Sequence, residues 1–344
     1  MVTVIAAVFV FGILVLVHEL GHFVTAKLTG MRVDEFAIGF GPKIWSKKRG
    51  ETEYSIRAIP LGGFNDIAGM DPDDNPAGER GYVAKPIPAR MLVILAGSVM
   101  NLLLPIVIFS GVFYFSGVSK PSGEPVLGTV LAGKAAASAG LKDGDRVVAV
   151  DGKPIATWQN FVDAIQDQGG NSLTLTYERD GQKGQTTITP VYDKDRGRAL
   201  IGVISQMTTE HYGLIQSVGL AFSQTWQTLT AMLVELSRIF SNFSGDNLAG
   251  PLGVAHMAGE AADRGISTLL MFAAFLSMNL GIINLLPIPA LDGGHFLNLI
   301  VEAIIRKPLN AKIIRYTQQG GIVLLILLFL FATKNDIERI FFGG

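Results

Sequence analysis

The first 17 residues of the chain carry no charge, and this apolar run leads straight into Val17-His18-Glu19-Leu20-Gly21-His22, two histidines and a carboxylate. On insertion scales a charged side chain at the centre of a membrane helix costs roughly 2.5 to 3.5 kcal/mol, so groups retained there are candidates for function. Residues four apart share a face of an α-helix. His18 and His22 can therefore hold one metal ion, with Glu19 beside them to move a proton. The bland alternative, two hydrogen-bonded core histidines, accounts poorly for three ionisable groups in so apolar a run.

Composition agrees with a membrane setting. Of 344 residues, 49% are hydrophobic and only 17% charged, against about 25% charged in ordinary soluble domains; the mean hydropathy is +0.39. A net charge of -1 and the absence of a basic arm or an aromatic-interleaved basic patch argue against nucleic acid as a partner. With no cysteine, disulfides, thiolate ligands and thiol nucleophiles are excluded together, and any metal must be held by His, Asp or Glu.

The first apolar run has no Lys or Arg before it and no small-residue cleavage site behind it, so it is expected to be a retained transmembrane helix and not a signal peptide. At about 20 residues per span, three more are expected, at 91–115, at 269–286 and around 321–332. Four spans put both termini on one side. Ten Lys or Arg lie between Lys27 and Arg90, and Arg306, Lys307, Lys312 and Arg315 lie between the last two spans. By the positive-inside rule these short segments face the cytoplasm, while the long segment 118–268 and both termini are extracytoplasmic.

Residues 36–64 contain Phe36-Ala37-Ile38-Gly39-Phe40-Gly41-Pro42 and Pro60-Leu61-Gly62-Gly63-Phe64, a hairpin pattern whose glycines permit close backbone approach. Either it is a plain cytoplasmic hairpin or it dips toward the site and offers an edge strand to an extended peptide. Residues 71–81 read as an acidic, solvated connector. From 121 to 191 short strands and helices alternate with turns. Residues 212–240 read as one or two amphipathic helices at the outer membrane surface.

Two histidines leave a catalytic zinc site short of a ligand, because three protein ligands plus one open position is the usual set. Asp292 is the best third candidate. It follows Asn284-Leu285-Leu286-Pro287-Ile288-Pro289-Ala290-Leu291, where two prolines break a membrane helix, and a break of that kind must line protein or a water-filled cavity. In the expected topology the first and third spans run in the same direction, which puts His22 and Asp292 toward the same cytoplasmic side. His295, three residues on, is the nearest rival.

Together, HELGH in a first span, Ala96 to Asn101 (AGSVMN) in a second and NLLPIPALDGG in a third resemble the site-2 protease family of intramembrane zinc metalloproteases. The match is nearest the bacterial branch that cleaves anti-sigma factors and signal-peptide remnants. AGLKDGDRVVAVDGKPI resembles the bacterial PDZ domain, and a single such unit is similar to the enzymes of Gram-positive bacteria. The resemblance implies one zinc ion held by His18, His22 and Asp292, with Glu19 as catalytic base. It implies substrate contacts from Asn284 and Asn279, and a re-entrant β-hairpin with Gly39, Phe40, Gly41, Gly62 and Gly63 against the substrate. Two departures are visible: Ser98, where the family often has proline, and Phe64-Asn65-Asp66-Ile67, where an aliphatic and often a basic residue are common.

The expected fold is a polytopic α-helical membrane protein of about four transmembrane helices, with a re-entrant β-hairpin and an inserted extracytoplasmic α+β PDZ-like domain. Its expected divisions are 1–30 (first span), 31–90 (hairpin region), 91–117 (second span), 118–195 (PDZ-like domain), 196–268 (amphipathic surface helices), 269–305 (third segment) and 306–344 (fourth span and C-terminus). The expected function is regulated intramembrane proteolysis in a bacterial plasma membrane. Its partners would be lipid and transmembrane substrates pre-cut by another protease. Two other classes use the same ligands: a membrane zinc carrier, which needs neither Glu19 nor a peptide module, and a zinc-bearing protein that binds membrane helices without cutting them.

Overall fold

A computed structural model describes residues 1–70, 77–194, 196–241 and 250–342; residues 71–76 of the acidic connector lie outside the described residues. The chain divides into two compact units, Met1–Phe115 with Gly213–Gly344, and Ser116–Tyr212.

The first unit opens with α1 (Val2–Leu28). At 1.5 Å per residue it is about 40 Å long, enough for a hydrocarbon core of about 30 Å. Then come β1 (Val33–Arg49) and β2 (Thr52–Ile67), which do not form a plain hairpin. Residues 33–38 pair with 63–67 on one side and with 53–56 on the other, and 53–56 pair in turn with 45–49. Two chain segments thus make a four-stranded sheet ordered 63–67, 33–38, 53–56, 45–49. Each strand turns over where Gly39, Gly41 and Gly62 take φ of +87°, +83° and +97°, a region that glycine enters without the Cβ penalty. Strand 63–67 is an outer edge of this sheet and lies against α1. A Cβ on Gly63 would sit 3.0 Å from Glu19 Cγ and 3.1 Å from Val15 Cγ1. After a short 3-10 turn, Gly78–Arg80, the chain enters α2 (Ile87–Ser116). Met31, Val33, Ile67 and Tyr82 are buried with Val93 and Ile94 of α2, which anchors the sheet to the helices.

The second unit contains β3 (Val118–Pro121), β4 (Leu127–Val130), α3 (Ala135–Ser138), β5 (Arg146–Val150), β6 (Lys153–Pro154), α4 (Trp158–Gln166), β7 (Leu173–Arg179), β8 (Gln182–Ile188), β9 (Val191–Asp193), β10 (Arg198–Leu200), β11 (Val203–Ser205) and β12 (Met207–Glu210). Its main sheet is ordered β6-β5-β7-β8. Leu127, Val147, Phe161, Leu175 and Ile201 lie in its core. The boundary expected at 195 falls short of the compact unit, which runs to Tyr212. Its last strands pair far back along the chain, β11 with β4 and β12 with β3.

The stretch expected to hold only surface helices from 196 onward is therefore strands first. Helix α5 (Leu214–Ser241) follows, and then α6 (Pro251–Asp263), which is no surface helix. Its small residues, Ala258 and Ala261, are buried with Ala6, Val10 and Leu14 of α1 and with Leu269 and Ala273. Those last two belong to α7 (Ile266–Leu285). The chain then breaks at Pro287 and Pro289 and restarts as α8 (Asp292–Ile305), before α9 (Ala311–Phe342). Among the described residues four helices are long and apolar enough to cross a membrane: α1, α2, α7 and, over Ala311–Arg339, α9.

Candidate metal centre

His18 and His22 lie on one face of α1 with their rings edge to face, centroids 4.7 Å apart, and their Nε2 atoms 3.1 Å apart. Asp292 is the first residue of α8. The break after α7 brings its Oδ2 to 3.4 Å from His18 Nε2 and its Oδ1 to 3.7 Å from His22 Nε2. All three side chains are largely buried, at 12%, 12% and 17% exposure.

What surrounds the rings decides which nitrogen is free. His22 Nδ1 donates to the carbonyl of Val93 at 2.8 Å, so its Nε2 keeps a lone pair. Asn101 Nδ2 lies 3.3 Å from His18 Nδ1, an arrangement that leaves the buried Asn101 Oδ1 without a partner. With Oδ1 turned to the ring, Nδ1–H donates to it, which partners a buried amide oxygen that otherwise has none and leaves His18 Nε2 free as well. A ligating histidine ordinarily donates its other N–H in this way. Two lone pairs facing each other beside a carboxylate repel unless a cation sits between them. With Zn–N near 2.0–2.1 Å, neighbouring ligand atoms of a tetrahedral site stand about 3.3 Å apart. The two Nε2 atoms stand 3.1 Å apart and lie 3.4 and 3.7 Å from one or the other Asp292 carboxylate oxygen, close to that spacing, so the donor set fits zinc.

Helix α2 makes room for this arrangement. A Cβ on Gly97 would run into His22 Nε2 and lie 2.8 Å from His18 Cε1, so any side chain there would fill the space between the ligands. A Cβ on Gly21 would run into the carbonyl of Ala96; the absence of one lets α1 and α2 approach closely. Ser98, on the next position of α2, donates its hydroxyl to Asp292 Oδ2 at 2.9 Å.

Glu19 lines the same cavity, of about 360 Å³, with His18, His22, Asp292, Gly63, Phe64 and Asn65. Asn65 Nδ2 donates to Glu19 Oε2 at 2.7 Å and to the Glu19 carbonyl at 2.8 Å. Of the residues expected to touch substrate, only Gly63 lines this cavity. Gly39, Gly41 and Gly62 are bends of the folded-over sheet, and Phe40 stacks on Phe64 with ring centroids 6.4 Å apart. Asn279 and Asn284 stand on α7 outside the cavity lining. His295 lines the cavity and stands outside the three-ligand group, with Nε2 3.4 Å from Gln318 Nε2. The sequence does not disclose the contacts of Asn65, Ser98 and Asn101, although Ser98 and Asn65 stand out in it as departures and Asn101 closes the AGSVMN segment.

Residues 6–328 match the family described as peptidase family M50. The chain belongs to that family. Among known members, regulator of sigma-W protease RasP of Bacillus subtilis is 34% identical, over 98% of this chain and 99% of that protein. Zinc metalloprotease RasP of Bacillus licheniformis is 33% identical over 98% and 99%, and its namesake in Geobacillus kaustophilus 34% identical over 98% and 98%. Part of the chain is also similar to the PDZ domain of an SdrC-like protein from Listeria monocytogenes, at 24% identity and a TM-score of 0.22, covering 26% of this chain and 93% of that one. As an M50 peptidase the protein is a zinc metalloprotease, and the resemblance drawn from HELGH and NLLPIPALDGG is to this same family.

Proposed function

We propose that this M50 peptidase cuts peptide bonds within transmembrane segments of single-span proteins, with one zinc ion on His18, His22 and Asp292 and with Glu19 as the proton carrier. The observation that carries the reading is the convergence, inside one cavity on apolar helices, of three ligand atoms within 4.8 Å of one another and a carboxylate held beside them. When bound, zinc acts as a Lewis acid and lowers the pKa of water from 15.7 to about 7. Glu19 takes the proton of the attacking water and passes it to the leaving amine. Val93 and Ser98 hold His22 and Asp292 in position.

A transmembrane helix hides its carbonyls in its own hydrogen bonds, so the substrate must unwind. Its freed backbone groups then need partners, at several kcal/mol each if left bare in lipid. Strand 63–67 is the element suited to supply them, being a sheet edge beside Glu19; an extended peptide adds to such an edge through main-chain hydrogen bonds. The sheet is thus read as the re-entrant element. Asn279 and Asn284 would meet the substrate away from the scissile bond. The name of the Bacillus subtilis relative, regulator of sigma-W protease, points to anti-sigma factors as substrates, pre-cut by another protease, with the PDZ-like domain excluding proteins that still carry bulky outer domains. Both termini and that domain are extracytoplasmic in this reading, and the active site lies toward the cytoplasm. Because the chain has no cysteine, single cysteines at Lys47 and Lys183 test the topology cleanly. Labelling of the first from inside and the second from outside is expected, and labelling of both from one side sinks it.

The function is tested with purified protein in detergent and a model transmembrane peptide. Glu19→Gln is expected to keep its zinc, bind the peptide and lose about 10² to 10⁴ in rate. Cleavage by this variant at the wild-type rate rejects the mechanism, and trapping without cutting by the wild type favours the binding-only class.

A further inference from the structure

Asn65 has one polar atom that its hydrogen bonds to Glu19 leave unused. Its amide nitrogen has two hydrogens and two acceptors, the Glu19 carboxylate at 2.7 Å and the Glu19 carbonyl at 2.8 Å, so the nitrogen is fully used. The orientation of the amide is fixed by the same pair, because turning it over would set Oδ1 against two acceptors. Oδ1 is consequently directed away from Glu19. It is buried and has no hydrogen-bond partner among the described residues, and folded proteins leave few buried acceptors in that state. Asn65 also stands on strand 63–67, whose inner side pairs with 33–38, and lines the cavity that holds the three ligands. An acceptor without a donor, on a sheet edge beside the base, is placed for an N–H that arrives with the substrate.

Resting on the function proposed above, we infer that Asn65 is a substrate-positioning residue: its Oδ1 accepts one backbone amide of the unwound substrate while its Nδ2 holds Glu19. The two bonds share one planar group. The peptide is thereby registered against the base and not merely held near it, which is the condition under which orientation accelerates a reaction.

The test separates holding the substrate from holding the base. Peptide binding is measured on the zinc-loaded Glu19→Gln protein, in which no cutting occurs, with and without Asn65→Leu, a replacement of similar size without polar atoms. The peptide is a model transmembrane segment scanned with single ester bonds, each of which removes one N–H. One ester position is expected to weaken binding about tenfold, the equivalent of about 1.4 kcal/mol, in protein that keeps Asn65. Asn65→Leu should bind the parent peptide about tenfold more weakly, with no further loss from that ester. In the otherwise wild-type enzyme Asn65→Leu should raise KM and lower kcat, and Asn65→Gln should restore part of the KM. If Asn65→Leu leaves binding to the Glu19→Gln protein unchanged, or if no ester position is coupled to residue 65, the inference falls and Asn65 serves Glu19 alone. Failure of the wild type to cleave the parent peptide would instead overturn the function, a result read from a separate assay.

Discussion

Ser98, the departure visible in AGSVMN, carries a hydroxyl that reaches the candidate ligand Asp292, 194 positions away. Losing a partner of a ligating group commonly lowers metal affinity 10- to 100-fold. Ser98→Ala should therefore weaken zinc binding within that range while leaving the helices in place, as measured by competition with a chromophoric chelator in detergent; wild-type affinity would mean that Asp292 is held by the break in the chain alone. At this scale the sequence displays the three candidate ligands that the structure brings together and does not display their supports. His18 and His22 betray themselves by a spacing of four in a charge-free run, and Asp292 by the prolines before it. Nothing local to Ser98 or Asn65 says which carboxylate it will meet, since those contacts are made by tertiary packing across 194 and 46 positions.

Among the elements, the folded-over sheet was the least legible. Its segments read as strands, but the alternation of residues 52–59 fits one partner as well as two, and the doubling depends on three left-handed glycines whose conformation a sequence pattern does not display. What fixes the turn between β1 and β2 is a set of charges. Glu51 accepts from Arg80 Nη1 and Nη2, each at 2.7 Å, and from Lys27 Nζ at 2.6 Å, tying the turn to the 3-10 segment and to the end of α1. Arg80 first, and then Lys27, hold the Glu51 carboxyl down to about 2 from its ordinary 4.5. A group whose pKa is lower in the folded than in the unfolded chain adds stability above the unfolded value and loses it as pH falls through the folded one. Glu51→Gln should therefore melt below the wild type at pH 7, and the gap should close as pH drops from about 4.5 toward 2. A gap independent of pH would show that the charge of Glu51 is not what secures the turn.

On the scale of the molecule, the inserted unit is a compact body separate in sequence from the residues of the candidate metal centre. It has its own core, and its first and last strands pair antiparallel from Val118 opposite Glu210 to Pro121 opposite Met207, so the chain leaves and returns at neighbouring points. That pairing is also why the sequence pattern stops at 195 while the unit runs to Tyr212, since three-residue strands such as β10 and β11 carry too little pattern to be seen without their distant partners. If the unit acts as a filter, its absence should change which substrates are cut and not how. Replacing residues 119–209 by a short Gly/Ser linker should leave zinc content and cleavage of a bare transmembrane peptide near wild type, because His18, Glu19, His22 and Asp292 all lie in the other unit. Cleavage of a single-span protein that still carries a folded outer domain should rise from background toward the rate of the bare peptide. Continued rejection of the bulky substrate by the shortened enzyme would place the selection elsewhere, in the unwinding step or in access between the helices.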